Sequence, residues 1–178
     1  VNAAGELWCW GSNGDGQLGI GSSDGDFADP VRVGADTDWS RVSIWQSTCA
    51  LKTNGSLWCW GRNKYGQLGN GGTSEQTTPV ALAQGESWTV VSNAPQHSCG
   101  IKTDGTLWCW GRNSYRQCGQ QDTTDLSTPT QVGTEDDWLS VDGGLYHSCG
   151  LKKDDSAHCW GAGEYGLGRG SSTSPWWE

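Results

Sequence analysis

The chain has no methionine, one phenylalanine and only 34% hydrophobic residues. So little aliphatic content would starve a helical core. No run approaches the ~18 consecutive apolar residues that a membrane-spanning helix needs. The amino terminus lacks the basic and apolar regions of a signal peptide. These absences leave no membrane partner to expect, and the missing initiator methionine points to a mature or excised piece of a longer product. Positive charge is scarce as well: 11 Lys and Arg stand against 20 Asp and Glu, a formal net charge of −9. With no basic stripe to neutralise phosphates, nucleic acid is not an expected partner. The short CxxC clips of structural zinc sites are missing too. No Ser/Asp constellation accompanies His97, His147 or His158, so no catalytic residue is assigned and the chain reads as a non-enzyme without a cofactor.

What is abundant is glycine, tryptophan and cysteine, with 28, 13 and 8 copies in 178 residues. Glycine-rich turns and a core of indoles predict an all-β, layered sheet structure. The stretch CALKTNGSLWCW, residues 49–60, has the form of a hairpin with a cysteine on each arm. A two-residue turn at Asn54-Gly55 would oppose Cys49 to Trp60 and put the sulfurs on opposite faces. A three-residue loop, Thr53-Asn54-Gly55, with Gly55 in the left-handed region opposes Cys49 to Cys59, Leu51 to Leu57 and Ala50 to Trp58. That register predicts a Cys49–Cys59 disulfide. The stretches CGIKTDGTLWCW and CGLKKDDSAHCW predict Cys99–Cys109 and Cys149–Cys159 in the same way.

The second-arm cysteines fall at Cys9, Cys59, Cys109 and Cys159, a period of fifty residues. About four short strands fit each copy, and a tryptophan recurs before one of them at Trp39, Trp88 and Trp138. A period of this length with several strands predicts a propeller or a stacked array. We divide residues 1–178, a single partial β-propeller, into repeats 1–48, 49–98, 99–148 and an incomplete 149–178. The opening VNAAGELWCW is the same unit with its first arm missing, which leaves Cys9 without its hairpin partner. Six cysteines in three hairpin pairs suit an oxidising compartment, so the chain is read as extracellular or secreted. The alternative is a cytosolic propeller whose cysteines are reduced, buried small hydrophobes.

The segment LWCWGRNKYGQLGNG, followed by TPV, W-x-x-V and HSCGIK, resembles the regulator-of-chromosome-condensation repeat. The likeness covers the whole chain, with four copies of WG-x-N-x-x-G-Q-L-G in full or decayed form. It implies a β-propeller of four-stranded blades, commonly about seven of them, of which about three and a half repeats are present here. It implies little about activity. The family includes an exchange factor for a small GTPase, an ultraviolet-B receptor, ubiquitin-ligase modules, inhibitors of β-lactamase and many secreted proteins of unknown role. Several positions depart from the pattern. Cys118 stands in RQCG where other copies read GQLG, and the fourth copy shortens to GAGEYGLG. The last residues, SPWWE, align by their proline with STPTQV, and Val1 aligns with Leu151, so neither end supplies the equivalent of Gly133 to Gly150. A fragment of a longer propeller, strands supplied by another polypeptide and an open arc all fit. Cys9 and Cys118 are left over: the one has lost its partner and the other is an inert buried thiol, or either joins an intermolecular disulfide.

Other candidate sites are local. Asp24, Asp26 and Asp29 in SSDGDFADP form part of a calcium-loop pattern, set against a plain solvated loop. Asn54-Gly55-Ser56 is a glycosylation sequon. The ultraviolet-B receptor's chromophore motif resembles G-W-R-H-T, and of IWQST, APQHS and LYHSC only the first matches its tryptophan, at Trp45, with no arginine beside it. Photoreception is therefore not expected. His97 and His147, each before SCG, are expected to hydrogen-bond a neighbouring strand. The function expected is protein binding or structural assembly, with another protein or another copy of the chain, through rim loops and exposed blade edges. The alternatives are a propeller with exchange-type activity on a small GTPase and an enzyme inhibitor with an acidic rim.

Overall fold

The computed structural model describes residues 1–82 and 85–163. Residues 164–178, which hold the end of the decayed GAGEYGLG and the SPWWE alignment, lie outside the described residues. Alternation dictates the strands: in LWCWG, Leu57 and Cys59 face one side and Trp58 and Trp60 the other. Strands β1 (Trp8–Ser12) and β2 (Asp26–Arg32) form a two-stranded sheet. Strands β3 (Trp39–Ile44), β4 (Ser47–Lys52), β5 (Leu57–Gly61) and β6 (Gln76–Ala81) form a four-stranded one. The unit repeats in β7 (Trp88–Asn93), β8 (His97–Lys102), β9 (Leu107–Gly111) and β10 (Leu126–Gln131), and again in β11 (Trp138–Gly143), β12 (His147–Lys152) and β13 (Ala157–Gly161). Within each sheet, strands consecutive in sequence pair antiparallel. The chain is thus all-β, a row of propeller blades that makes up part of a propeller, three of the sheets opening at the recurring tryptophan, Trp39, Trp88 or Trp138. Pro30, Pro79 and Pro129 lie in β2, β6 and β10, the outer strands, where a missing amide proton breaks no ladder. Among the described residues no helix is long and apolar enough to cross a membrane.

The hairpin geometry follows from one glycine. Gly55 takes φ +81°, the Gly55 amide donates to the Lys52 carbonyl at 2.9 Å, and Cys49 faces Cys59. Disulfides join Cys49–Cys59, Cys99–Cys109 and Cys149–Cys159, each across a Cα separation of 4.1 Å. The third hairpin achieves the same turn without glycine: Asp155 adopts φ +65°, a conformation that short polar side chains tolerate better than most.

The core lies between blades, because neither face of a blade is polar. The leucine and cysteine side of one blade packs on the tryptophan side of the next. Leu7 and Cys9 meet Trp39 and Trp60, Leu57 and Cys59 meet Trp88 and Trp110, and Leu107 and Cys109 meet Trp138 and Trp160. Within each blade the two indoles cross edge to face, with centroids 5.9, 5.8 and 6.0 Å apart. A repeated hydrogen bond fixes the blades to one another. Trp60, Trp110 and Trp160 each donate their Nε1 proton to a carbonyl of the preceding blade's loop, that of Gln17, Gln67 or Gln117, at 2.9 Å. The loop is built to present that carbonyl: Asn13 Oδ1 accepts the Leu18 amide and Gln17 Oε1 accepts the Asp15 amide. Gly19, at φ +73°, completes the fit, since a Cβ there would stand 2.5 Å from Trp60 Nε1. The signature N-x-x-G-Q-L-G is in this sense an inter-blade joint.

Candidate functional site

Two ends of the sheets differ in chemistry. At the hairpin end, Lys52 lies over the Trp39 and Trp58 rings at 5.0 and 4.9 Å and pairs with Asp36 and Asp38 at 2.7 and 3.0 Å. Lys102 over Trp108, with Glu86, and Lys152 over Trp138, with Glu135 and Asp137, repeat the arrangement. The TEDDW cluster therefore has a structural use, holding a lysine against an indole.

The opposite end carries the β3–β4, β7–β8 and β11–β12 turns. Trp45, Pro95 and Leu145 line one groove of about 450 Å³, with the Gly143-Gly144 backbone at its side. Backbone bonds from the strand ends hold these turns, with the Arg62 amide donating to the Gln46 carbonyl at 3.1 Å, Arg112 to Gln96 at 2.8 Å and Ala162 to Tyr146 at 2.8 Å. Arg62 Nη1 also donates to Gln46 Oε1 at 2.9 Å. The Arg112 guanidinium stacks 5.0 Å from the Tyr65 ring and 5.7 Å from Tyr115, and Tyr115 packs on Tyr146 at 4.9 Å. The result is a pre-formed surface of aromatic, aliphatic and guanidinium groups. Sequence reasoning singled out Trp45 only as a chromophore candidate and passed over Leu145, Tyr115 and Arg112. A weak signal was present, since arginine follows WG in two copies, at Arg62 and Arg112, and not in the others.

Of the histidines, His97 alone is fully buried, and His147 and His158 are half-buried. His97 lies in β8, its Nε2 2.7 Å from Ser148 Oγ of the next blade. The Ser148 hydroxyl donates to the Gln117 carbonyl at 2.9 Å. Its single proton is thereby committed, so His97 Nε2 carries the proton of the shared bond and gives it to Ser148. Burial first, and the charge of His147 second, lower the His97 pKa to about 3. His158 sits where Trp58 sits in its own blade, edge-on to Trp138 at 5.7 Å. Asn93, which sequence reasoning also passed over, ties blades together: its Oδ1 accepts from Ser47 Oγ at 3.0 Å, and its Nδ2 donates to the Ser47 carbonyl.

The remaining candidates separate. Asp24, Asp26 and Asp29 are exposed, and among the described residues no group of three or more His, Cys, Asp or Glu side chains is placed to hold a metal ion. The partial calcium pattern is therefore not assembled; Asp26 and Asp29 lie three positions apart on β2, and a pleated strand does not aim such positions at one point. Asn54 is at the exposed hairpin tip, its Oδ1 accepting the Ser56 amide at 3.0 Å. Cys118 is fully buried in the place of Leu68, its amide bonded to Asn113 Oδ1 and its thiol to the Arg112 carbonyl. Desolvation, with Asp125 adding to it, raises its pKa well above the usual thiol value, which suits an inert core residue. Cys9 is 3% exposed, and desolvation raises its pKa to about 11.

A family model described as "Regulator of chromosome condensation (RCC1) repeat" matches residues 4–49, 54–101 and 104–151, and a second model of that repeat matches 138–167. The solved structure of human WBSCR16 is similar, with a TM-score of 0.81 at 20% identity over 92% of this chain and 44% of that one. Yeast RCC1 (Prp20), solved with Kap60 bound to it, is similar with a TM-score of 0.80 at 24% identity over 94% of this chain and 42% of that one. Likeness at such identities is a likeness of fold. The chain spans less than half the length of either propeller. No curated protein matches it.

Proposed function

The chain belongs to the regulator of chromosome condensation repeat family, and from that premise we propose that it is a non-enzymatic, extracellular module that binds another protein through its turn face. One observation carries this reading: Ile44, Trp45, Tyr115 and Leu145 are 52, 55, 44 and 45% exposed at the turn end of blades whose indoles Trp60, Trp110 and Trp160 are fully buried. Exposed apolar patches mark interaction sites, and Trp, Tyr and Arg are the residues that dominate binding energy at protein interfaces. The three disulfides support an oxidising compartment. The direction of the His97 to Ser148 proton supports a structural rather than a catalytic use of that pair.

The test is a paired retention experiment. Immobilised wild-type chain and the double variant Trp45→Ala, Leu145→Ser are exposed to the same extracellular fluid, and retained proteins are quantified. A partner held by the wild type and reduced roughly tenfold or more by the variant is expected, since two hot-spot truncations each remove ~1–2 kcal/mol or more. Equal retention, with both proteins folded and fully disulfide-bonded, would sink the reading.

A further inference from the structure

Charge is used differently at the two ends of the sheets. At the hairpin end Arg32, Lys52, Lys102 and Lys152 each pair with a carboxylate, from Glu6, from Asp36 and Asp38, from Glu86, and from Glu135 and Asp137. At the turn end Arg62 and Arg112 hold the same place on neighbouring blades, each directly after the WG of its strand. Among the described residues neither pairs with a carboxylate. Their Nη1 groups donate instead to neutral oxygens, Gln46 Oε1 and Gln96 Oε1. Gln46 and Gln96 also line the groove of Trp45, Pro95 and Leu145, so the two guanidinium groups stand along its margin. In a chain of net charge −9, two arginines without a counter-ion beside an exposed indole are a local reversal of sign.

We propose that the turn face recognises an acidic peptide segment of its partner protein. An aliphatic or aromatic side chain of that segment fills the groove of Trp45, Pro95 and Leu145, an Asp or Glu beside it pairs with Arg112, and a second pairs with Arg62. The inference rests on the reading of this face as the binding face and adds the partner's chemistry to it. Arg112 is already oriented for the task. Its Nε donates to Ser114 Oγ at 3.1 Å, its Nη1 donates to Gln96 Oε1, and its Cζ lies 5.0 Å from the Tyr65 ring and 5.7 Å from the Tyr115 ring. The bond to Ser114 occupies the Nε proton and closes the side-on approach. The three remaining protons lie on Nη1 and Nη2, the edge that meets a carboxylate end-on. With the guanidinium held in advance, little ordering is left for the ligand to induce. The surroundings also limit how much negative charge is welcome, because Asp15 and Glu75 share an open cleft with Arg62 and Lys64. A continuous polyanion such as heparin is repelled by these carboxylates along its length, whereas one or two acids set around an apolar residue can sit on the arginines alone.

The probe is a phage-displayed library of short random peptides, panned on the full 178-residue chain with its disulfides intact and, in parallel, on the Trp45→Ala, Leu145→Ser chain. Peptides enriched by the wild type alone are ligands of the turn face. They are expected to carry Asp or Glu next to an aliphatic or aromatic residue, in excess of the unselected library. A synthetic representative should bind the wild type at least about tenfold more tightly than it binds an Arg112→Gln chain, with an affinity that falls as sodium chloride is raised. The same peptide with its acids changed to Asn or Gln should lose that factor on the wild-type chain, a comparison that does not depend on how the variant folds. Turn-face ligands with no excess of acid, or an amide-substituted peptide that binds as tightly as the acidic one, would overturn the acidic segment while leaving the binding face in place. A heparin fragment that displaces the peptide and binds more tightly would overturn it in favour of a polyanion. A library that yields no turn-face ligand would overturn both this inference and the reading it rests on.

Discussion

Residues 7–11 and 57–61 are both LWCWG, yet β1 and β5 end in different surroundings. Their leucine and cysteine faces are equally buried, with Cys9 at 3% and Cys59 at 0% exposure. Their tryptophan faces are not: Trp60 is sealed beneath the Gln17 loop, and Trp10 faces outward. The difference is one of neighbours rather than of strand sequence. A blade's leucine and cysteine side is closed by the blade that follows and its tryptophan side by the blade that precedes, and β1 has the former alone among the described residues. Stability in such a row is the sum of unit and nearest-neighbour terms, and identical pentapeptides report the two terms separately.

Truncating the two indoles is the most severe test of that contrast. Trp60→Ala is expected to destabilise by about 3–5 kcal/mol, as for a large buried aromatic, and Trp10→Ala to stay within ~0.5 kcal/mol of wild type. Urea denaturation followed by far-ultraviolet circular dichroism measures both, and equal effects would break the comparison.

A second contrast separates the complete blades from one another in acid. His97 occupies the position that Ser47 fills one blade earlier, and burial lowers its pKa to about 3. The folded state then binds fewer protons than the unfolded state between the unfolded histidine value and that lowered one. Stability is therefore full above about pH 6.5 and declines as the pH falls towards 3, by on the order of 4 kcal/mol over the whole window. His97→Gln should flatten this slope relative to wild type, and parallel slopes would show that other groups govern acid unfolding.

The cysteines sharpen the comparison at smaller scale. Removing the Cys49–Cys59 bond with paired alanines is expected to cost about 3 kcal/mol, because it releases a short closed loop in the unfolded chain. Cys9→Ala constrains no loop and should cost ~1 kcal/mol or less, from lost packing alone. Denaturation midpoints under non-reducing conditions distinguish the two.

The hairpin was the most legible part of the fold. A ten-residue spacing between cysteines, a period of two along each arm and one glycine with positive φ leave a single register. The repeat was legible for the same reason, being written in tryptophan and cysteine at a fixed period. What the sequence concealed were joints between residues far apart. The Trp60 to Gln17 bond spans 43 positions and uses a backbone carbonyl, an acceptor that every residue owns and no side-chain pattern advertises. Asn93, bonded to Ser47 of the preceding blade, is equally mute, because Ile44 and Gly143 hold its place in the other blades. The turn-face groove was hidden because its lining comes from unlike residues, Trp45, Pro95 and Leu145, at turns that vary between copies. The calcium pattern illustrates the opposite case: Asp26 and Asp29, near in sequence, stand three positions apart on the extended strand β2.

The carbonyl-to-indole joint gives the row a polarity. Each blade offers an acceptor forwards, from Gln17, Gln67 or Gln117, and receives it with an indole behind, from Trp60, Trp110 or Trp160. Two like ends therefore do not complement one another, and extension through this joint is heterologous, head to tail. Among the described residues Trp10 is the indole of this series that meets no such loop, and it is 61% exposed where Trp60, Trp110 and Trp160 are buried.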